Sequence, residues 1–253
     1  MSHPNNKVSS SSVDNQEIEL IVGNSSSNFS GVTSTMLQVT SLQKHMINLR
    51  IMGKHFVPDP SMTITFWEVA KMCRRPLSNG KWRIFHARRV DEMIQGVILK
   101  YVFRAKIKLV FSSAAQRKRS ASTVWLSNKM DAVIAMSNRS AKYLDKPPAK
   151  INLHGVQIDN YTPAENKQEA WQALGYGGKY GIGILGRVRE QRGVHLFVEA
   201  CIKVLPKYPD VNAVVVGAIS SSNQEFVNEL KEKISKAGLT DRIVFTGELP
   251  FEQ

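Results

Sequence analysis

Three arginines crowd into Gly186-Arg187-Val188-Arg189-Glu190-Gln191-Arg192-Gly193, between a β-prone run, KYGIGILG (179–186), and a helix-forming run beginning VHLFVEAC. In an open parallel α/β sheet the ligand crevice lies outside the carboxyl ends of the strands, where helix starts offer free amides. Arginine grips phosphate with a planar donor fork, so the three guanidinium groups behind Gly186 are suited to a diphosphate. A solvated basic loop is the plainer reading of the same residues. A second candidate is His86, at the end of RIFHA (83–87), followed by Arg88 and Arg89. A third is FSGVTST (29–35), where Ser30, Gly31 and Val32 open a helix, with Ser30 fitting an N-cap and Gly31 a helix-initiating glycine. Gly181-Ile-Gly183-Ile-Leu-Gly186 matches the dinucleotide fingerprint GxGxxG. Its glycines fall inside the predicted strand, however, not in the turn that opens the helix, which argues against a nicotinamide or flavin site.

The elements that must carry these residues alternate strand and helix, the signature of a doubly wound α/β sheet. EIELIV (17–22), NLRIM, RIFHA, KIKLVF (106–111) and DAVIAM (131–136) read as strands, with helices over VTSTMLQVTSLQKHMI (32–47), at about 88–105, at 117–129 and at 138–144. The Pro-rich stretch KPPAKINLHGVQIDNYTP (146–163) reads as a connection. A second alternation follows: KYGIGILG, helix, VNAVVVG (211–217), a helix closed by Gly238, and DRIVFTG. The expected organisation is a disordered lead-in over 1–16, a first domain over 17–150, a linker over 151–163 and a second domain over 164–253. A βαβαβ unit is half of a doubly wound domain and leaves a sheet edge uncovered, so the second domain is expected to be incomplete.

Composition narrows the function classes. Residues 71–150 hold 19 Lys or Arg against four acidic residues, and the chain as a whole carries +13. Such a local field steers anionic partners: phosphorylated lipid, an anionic membrane surface or nucleic acid. QRKR (116–119) with Trp125 is the run best placed to meet headgroups or acceptor phosphates. The apolar stripe Met93, Ile94, Val97, Ile98, Tyr101, Val102 reads as the core-facing side of a helix, with a membrane-surface role as the sharper alternative. Cys73 and Cys201 have no ligand-like spacing. The amino-terminal residues contain no apolar signal segment, and no run approaches transmembrane length, so a cytoplasmic setting with only peripheral membrane contact is expected.

ILGRVREQRG and LHGVQIDNYTP resemble, in order and spacing, two segments of family 4 glycosyltransferases. FHARRVDEM, KLVFSSAAQRKR, MDAVIAMS and the GVTST loop are most similar to bacterial lipopolysaccharide core mannosyltransferases. The resemblance implies a GT-B fold, with two Rossmann-like domains facing across a cleft, and a retaining transfer of a hexosyl unit, mannose from GDP-mannose, to lipopolysaccharide core. It assigns Arg187 and Arg192 to the donor diphosphate, His86 to the catalytic cleft beside the transferred sugar, and Arg88 and Arg89 to an anionic, lipid-linked glycan acceptor. Gly31 and its neighbours would face donor phosphate and acceptor. No metal is expected, and neither is a nucleic-acid partner or a cofactor beyond the nucleotide-sugar substrate; the enzyme would sit on the cytoplasmic face of the inner membrane. Arg192 stands where the family usually has lysine, and the family's later pair of glutamates has no counterpart up to Gln253. A basic binding protein for RNA or acidic lipid, and a sugar-nucleotide epimerase on the same architecture, are the alternatives, since fold alone does not fix function.

Overall fold

A computed structural model describes residues 17–155, 158 and 161–249. The lead-in 1–16 and part of the connecting segment lie outside the described residues. The chain forms two compact units, 1–158 and 159–253.

In the first unit the elements are β1 (Leu20–Gly23), α1 (Gly31–Gln43), β2 (Leu49–Met52), β3 (Thr63–Ile64), α2 (Phe66–Met72), β4 (Arg83–Ala87), α3 (Val90–Val97), β5 (Ile107–Ser113), α4 (Ala121–Asn128), β6 (Ala132–Ala135), α5 (Asn138–Ala141) and β7 (Lys150–Ile151). The strands pair in parallel in the order β3-β2-β1-β4-β5-β6-β7. β1 is buried along its whole length because both its faces are covered, which is why it reads as a continuous apolar run. Leu20 and Val22 pack with Met36 of α1, Leu49 and Ile51. Ile21 points the other way, into a larger core with Phe85, Leu109, Met93 and Val69. The strand alternation thus divides one sheet between two cores.

Two sequence expectations need correction here. The helix expected over about 88–105 is α3 followed by a π turn at Ile98–Val102. That turn inserts an extra residue into the helical spiral, so Leu99 is fully buried while Tyr101 and Val102, expected on the core stripe, are exposed; Ile94, ahead of the turn, is exposed as well. The helix expected over 117–129 begins only at Ala121, capped by Ser120. QRKR therefore lies in the loop after β5. Arg117 and Lys118 are exposed, but Arg119 folds back to donate to Ser113 Oγ and lies over the Phe111 ring. α2 is absent from the sequence reading although Thr65 and Glu68 form a complete capping box: Glu68 Oε2 accepts from the Thr65 amide at 2.8 Å and Thr65 Oγ1 from the Glu68 amide at 3.3 Å.

The second unit contains α6 (Lys167–Ala173), β8 (Tyr180–Leu185), α7 (Val194–Val204), β9 (Val211–Val216), α8 (Gln224–Lys236) and β10 (Ile243–Gly247). Its parallel sheet runs β10-β9-β8. Val194, Val198 and Cys201 of α7 and Val227, Leu230 and Ile234 of α8 bury one stripe each against β9, at the 3–4 residue spacing of an amphipathic helix. Among the described residues β8 is an edge strand and is mostly exposed.

Among the described residues no helix is long and apolar enough to cross a membrane.

Candidate functional site

The sequence candidates of the first unit meet at the carboxyl edge of its sheet. β4 runs beside β1 and β5, in register Val22–His86–Val110, which brings the loops after β1, β4 and β5 together. His86 Nε2 lies 2.8 Å from Ser112 Oγ on β5. Burial, and then the nearby Arg88 cation, push the His86 pKa down to about 3, so at neutral pH the ring is uncharged and acts only through hydrogen bonds. The sign is that of a group whose folded pKa is depressed. Above about pH 6.5 its stability contribution is intact, and below it the unfolded chain takes up a proton that the folded one refuses. The first unit is therefore expected to lose stability as pH falls from 6.5 toward about 3, and His86→Gln to remove that share of the loss. Urea midpoints over this range check it; equal pH slopes in the two proteins would contradict the buried neutral ring.

Arg88 and Arg89 do different jobs. Nη1 of Arg88 is buried with no hydrogen-bond partner, an expensive arrangement that an incoming anion would relieve; burial also lowers the Arg88 pKa, with Glu92 opposing. Arg89 Nη2 instead donates to Ser30 Oγ at 2.8 Å and Thr33 Oγ1 at 3.0 Å, so it braces the start of α1 and is already occupied. Ser30 is the N-cap of α1, accepting from the Thr33 amide. The amides of Gly31 and Val32 have no partner among the described residues, and a side chain at Gly31 would meet nothing within 4 Å. This corner therefore presents two free amides beside a braced guanidinium, an arrangement able to receive an anionic oxygen.

Glu92, which the sequence reading does not single out, ties the corner together. Only 2% exposed, its carboxylate accepts from the amides of Arg88 (2.7 Å), Arg89 (3.2 Å) and Ser25 (3.4 Å) and from Ser25 Oγ (3.3 Å). One buried side chain thus fixes the loops after β1 and β4 relative to the start of α3. The signal is faint because the N-cap position holds Arg89 where a capping box normally has Ser or Thr.

In the second unit the guanidinium loop occupies the position the sequence indicated, between the end of β8 and α7. Arg187, Arg189 and Arg192 are exposed, while Val188 between them is buried and anchors the loop. Main-chain bonds Gly186 N–H to Val216 O (2.9 Å) and Val188 N–H to Ala218 O (3.0 Å) seat it on the end of β9. Gly193, at φ +75°, starts α7, which no side chain caps. Of the fingerprint-like glycines, Gly181 has a packing role: a Cβ there would lie 2.1 Å from the Trp171 ring, whose Nε1 donates to Gly177 O at 2.8 Å. That contact accounts for Gly181 without any dinucleotide. No group of three or more His, Cys, Asp or Glu side chains able to hold a metal ion is present among the described residues.

Comparison with known proteins agrees with the two-unit α/β fold. Residues 166–253 match the family model described as glycosyl transferases group 1. Over 238 residues the chain is 39% identical to the lipopolysaccharide core biosynthesis mannosyltransferase LpsB of Rhizobium meliloti (strain 1021), covering 93% of this chain and 67% of that protein. It is 38% identical over 239 residues to the lipopolysaccharide core biosynthesis mannosyltransferase LpcC of Rhizobium leguminosarum bv. viciae, covering 94% and 67%. The solved structure of Anabaena Alr3699/HepE in complex with UDP and glucose shares the fold, with a TM-score of 0.66 at 18% identity over 92% of this chain and 70% of that one. The match to the group 1 family model, 39% identity across nearly the whole chain and two parallel α/β units place it in the group 1 glycosyltransferases, a GT-B family.

Proposed function

We propose that the chain transfers a mannosyl unit from GDP-mannose to lipopolysaccharide core, with retention of configuration. The observation that carries this reading is the guanidinium loop, three exposed arginines on an anchored turn ahead of an uncapped helix; the mannosyl and lipopolysaccharide terms come from the two rhizobial relatives. Arg187 and Arg192, with the amides opening α7, neutralise the diphosphate as it leaves, which is electrostatic assistance at the atom where charge develops. No bound metal is needed in this scheme, since the arginines take the cation's part. His86, held neutral, offers a hydrogen bond beside the transferred sugar. Arg88 supplies its unpartnered Nη1 to an anionic acceptor, while Arg89 positions Ser30, Gly31 and Val32. Arg117, Lys118 and Trp125, the last 56% exposed with Lys129 Nζ 5.4 Å from its ring, would hold the first unit on an anionic, cytoplasm-facing membrane surface.

The test is acceptor dependence. GDP-mannose should yield GDP and mannosylated product only when core lipopolysaccharide is supplied, and the product linkage should keep the donor's anomeric configuration. Loss of GDP-mannose at the same rate without acceptor would contradict transfer and favour an isomerising enzyme; salt-sensitive RNA binding with no transfer would favour the binding-protein alternative.

A further inference from the structure

Two loops at the carboxyl edge of the first sheet, after β1 and after β2, are locked together beside a cavity that the scheme above does not use. Gly53, at φ +123°, sits so close to the β1 exit that a Cβ there would lie 2.0 Å from Asn24 O. Asn24, 3% exposed, donates its Nδ2 to His55 O at 2.7 Å. Phe29 and Phe56 then meet edge to face, centroids 5.3 Å apart, yet stay 39% and 44% exposed. Phe56 holds φ +62°, a conformation costly for a bulky residue, which persists only where the surroundings impose it and which clusters at ligand sites.

The adjoining cavity of about 380 Å³ is lined by Asn24, Ser25, Lys54, His55, Thr65 and Gln95, among others. Its volume falls in the range of small-ligand pockets, about 300–1,000 Å³. Gln95 lines the cavity, and its Oε1, closed off from solvent, has no hydrogen-bond partner, so a turn of the side chain that brings this acceptor to the cavity wall would be rewarded by a ligand donor. His55 links cavity and aromatic pair, its ring 6.5 Å from that of Phe56.

We infer that the Phe29–Phe56 pair and the Gln95 cavity form a subsite for one sugar ring of the acceptor glycan, remote from the bond being made. A pyranose has an apolar face of C–H groups and a rim of hydroxyls. The face stacks on the exposed aromatic pair, and a rim hydroxyl donates to Gln95 Oε1, with Asn24, Ser25, Lys54 and Thr65 within the same polar lining. A lipid chain would satisfy the rings but leave the buried amide oxygen unpaired. This assignment rests on the glycosyltransferase reading and adds where its acceptor is gripped.

Two variants of the chain test it, with delipidated lipopolysaccharide core oligosaccharide as the probe in calorimetry. Phe56→Gly removes the ring and relieves the positive φ; Gln95→Leu removes the orphaned oxygen at similar volume. Both should melt close to the parent's temperature, the lost ring contact in the first offset by relief of the positive φ, yet each should bind the oligosaccharide roughly tenfold more weakly, with unchanged binding to vesicles containing phosphatidylglycerol. Parent-like oligosaccharide affinity in both variants would overturn the subsite, as would loss of vesicle binding alone, which would mark the rings as a lipid contact. A parent that binds no oligosaccharide and shows no acceptor-dependent GDP release would instead remove the glycosyltransferase reading itself.

Discussion

Replacing Gly217 by alanine is expected to destabilise the second unit by about 3 kcal/mol or more, the sum of backbone strain and a clash that has no easy escape. Gly217 follows β9 at φ +146°, a conformation open in practice only to glycine. A Cβ there would sit 2.1 Å from Gly186 O and 2.6 Å from Gly186 C. Neither backbone can withdraw, because Gly217 N–H donates to Gly247 O at 2.8 Å and Gly186 N–H to Val216 O at 2.9 Å. Relief would break the ladder joining the carboxyl ends of all three strands and would displace the arginine loop that begins at Gly186. Native-state hydrogen exchange resolves the effect by unit. At about 1.4 kcal/mol per tenfold, β9 amides should exchange on the order of 100 times faster, while β1, β4 and β5 keep their protection. Unchanged β9 protection would mean that the two backbones do not approach as described.

The arginine loop that Gly217 supports is legible in the sequence because its parts are consecutive. A strand end, a glycine, a cluster of arginines and a helix start follow one another without interruption in residues 180–194, so local order alone places the guanidinium groups. The central strands are legible for a similar reason: parallel strands covered on both faces write continuous apolar runs, as in LIVG and VNAVVV. Short elements are not. β3 and β7 span two residues each, and α2 and α6 seven each, too few for a period to stand out, and only the Thr65–Glu68 capping pair could have revealed α2. The π turn at Ile98–Val102 defeats the stripe reading because a periodicity argument assumes an unbroken helix.

Site residues that depend on distant partners are hidden altogether. Glu92 acts on Ser25, 67 residues away in the chain, and Phe29 acquires its role only by meeting Phe56 across two loops. His86 is found from its strand-end position, but its neutrality comes from burial and from Arg88, which only the folded arrangement supplies. Arg88 and Arg89 look equivalent in sequence and are not. One guanidinium has a buried nitrogen without a partner, and the other is committed to Ser30 and Thr33.

If Arg187 and Arg192 hold the donor diphosphate, GDP affinity reports their contribution directly. Two charge-assisted contacts, at about 1.5–3 kcal/mol each for hydrogen bonds to charged groups, should be lost in the double variant Arg187→Ala, Arg192→Ala. Both side chains are exposed, so the fold should survive with its melting temperature nearly unchanged. Calorimetric titration of parent and variant with GDP at low and at high salt should show a salt-weakened affinity in the parent and a loss of roughly 100-fold or more in the variant. Equal GDP affinity in the two proteins would contradict it.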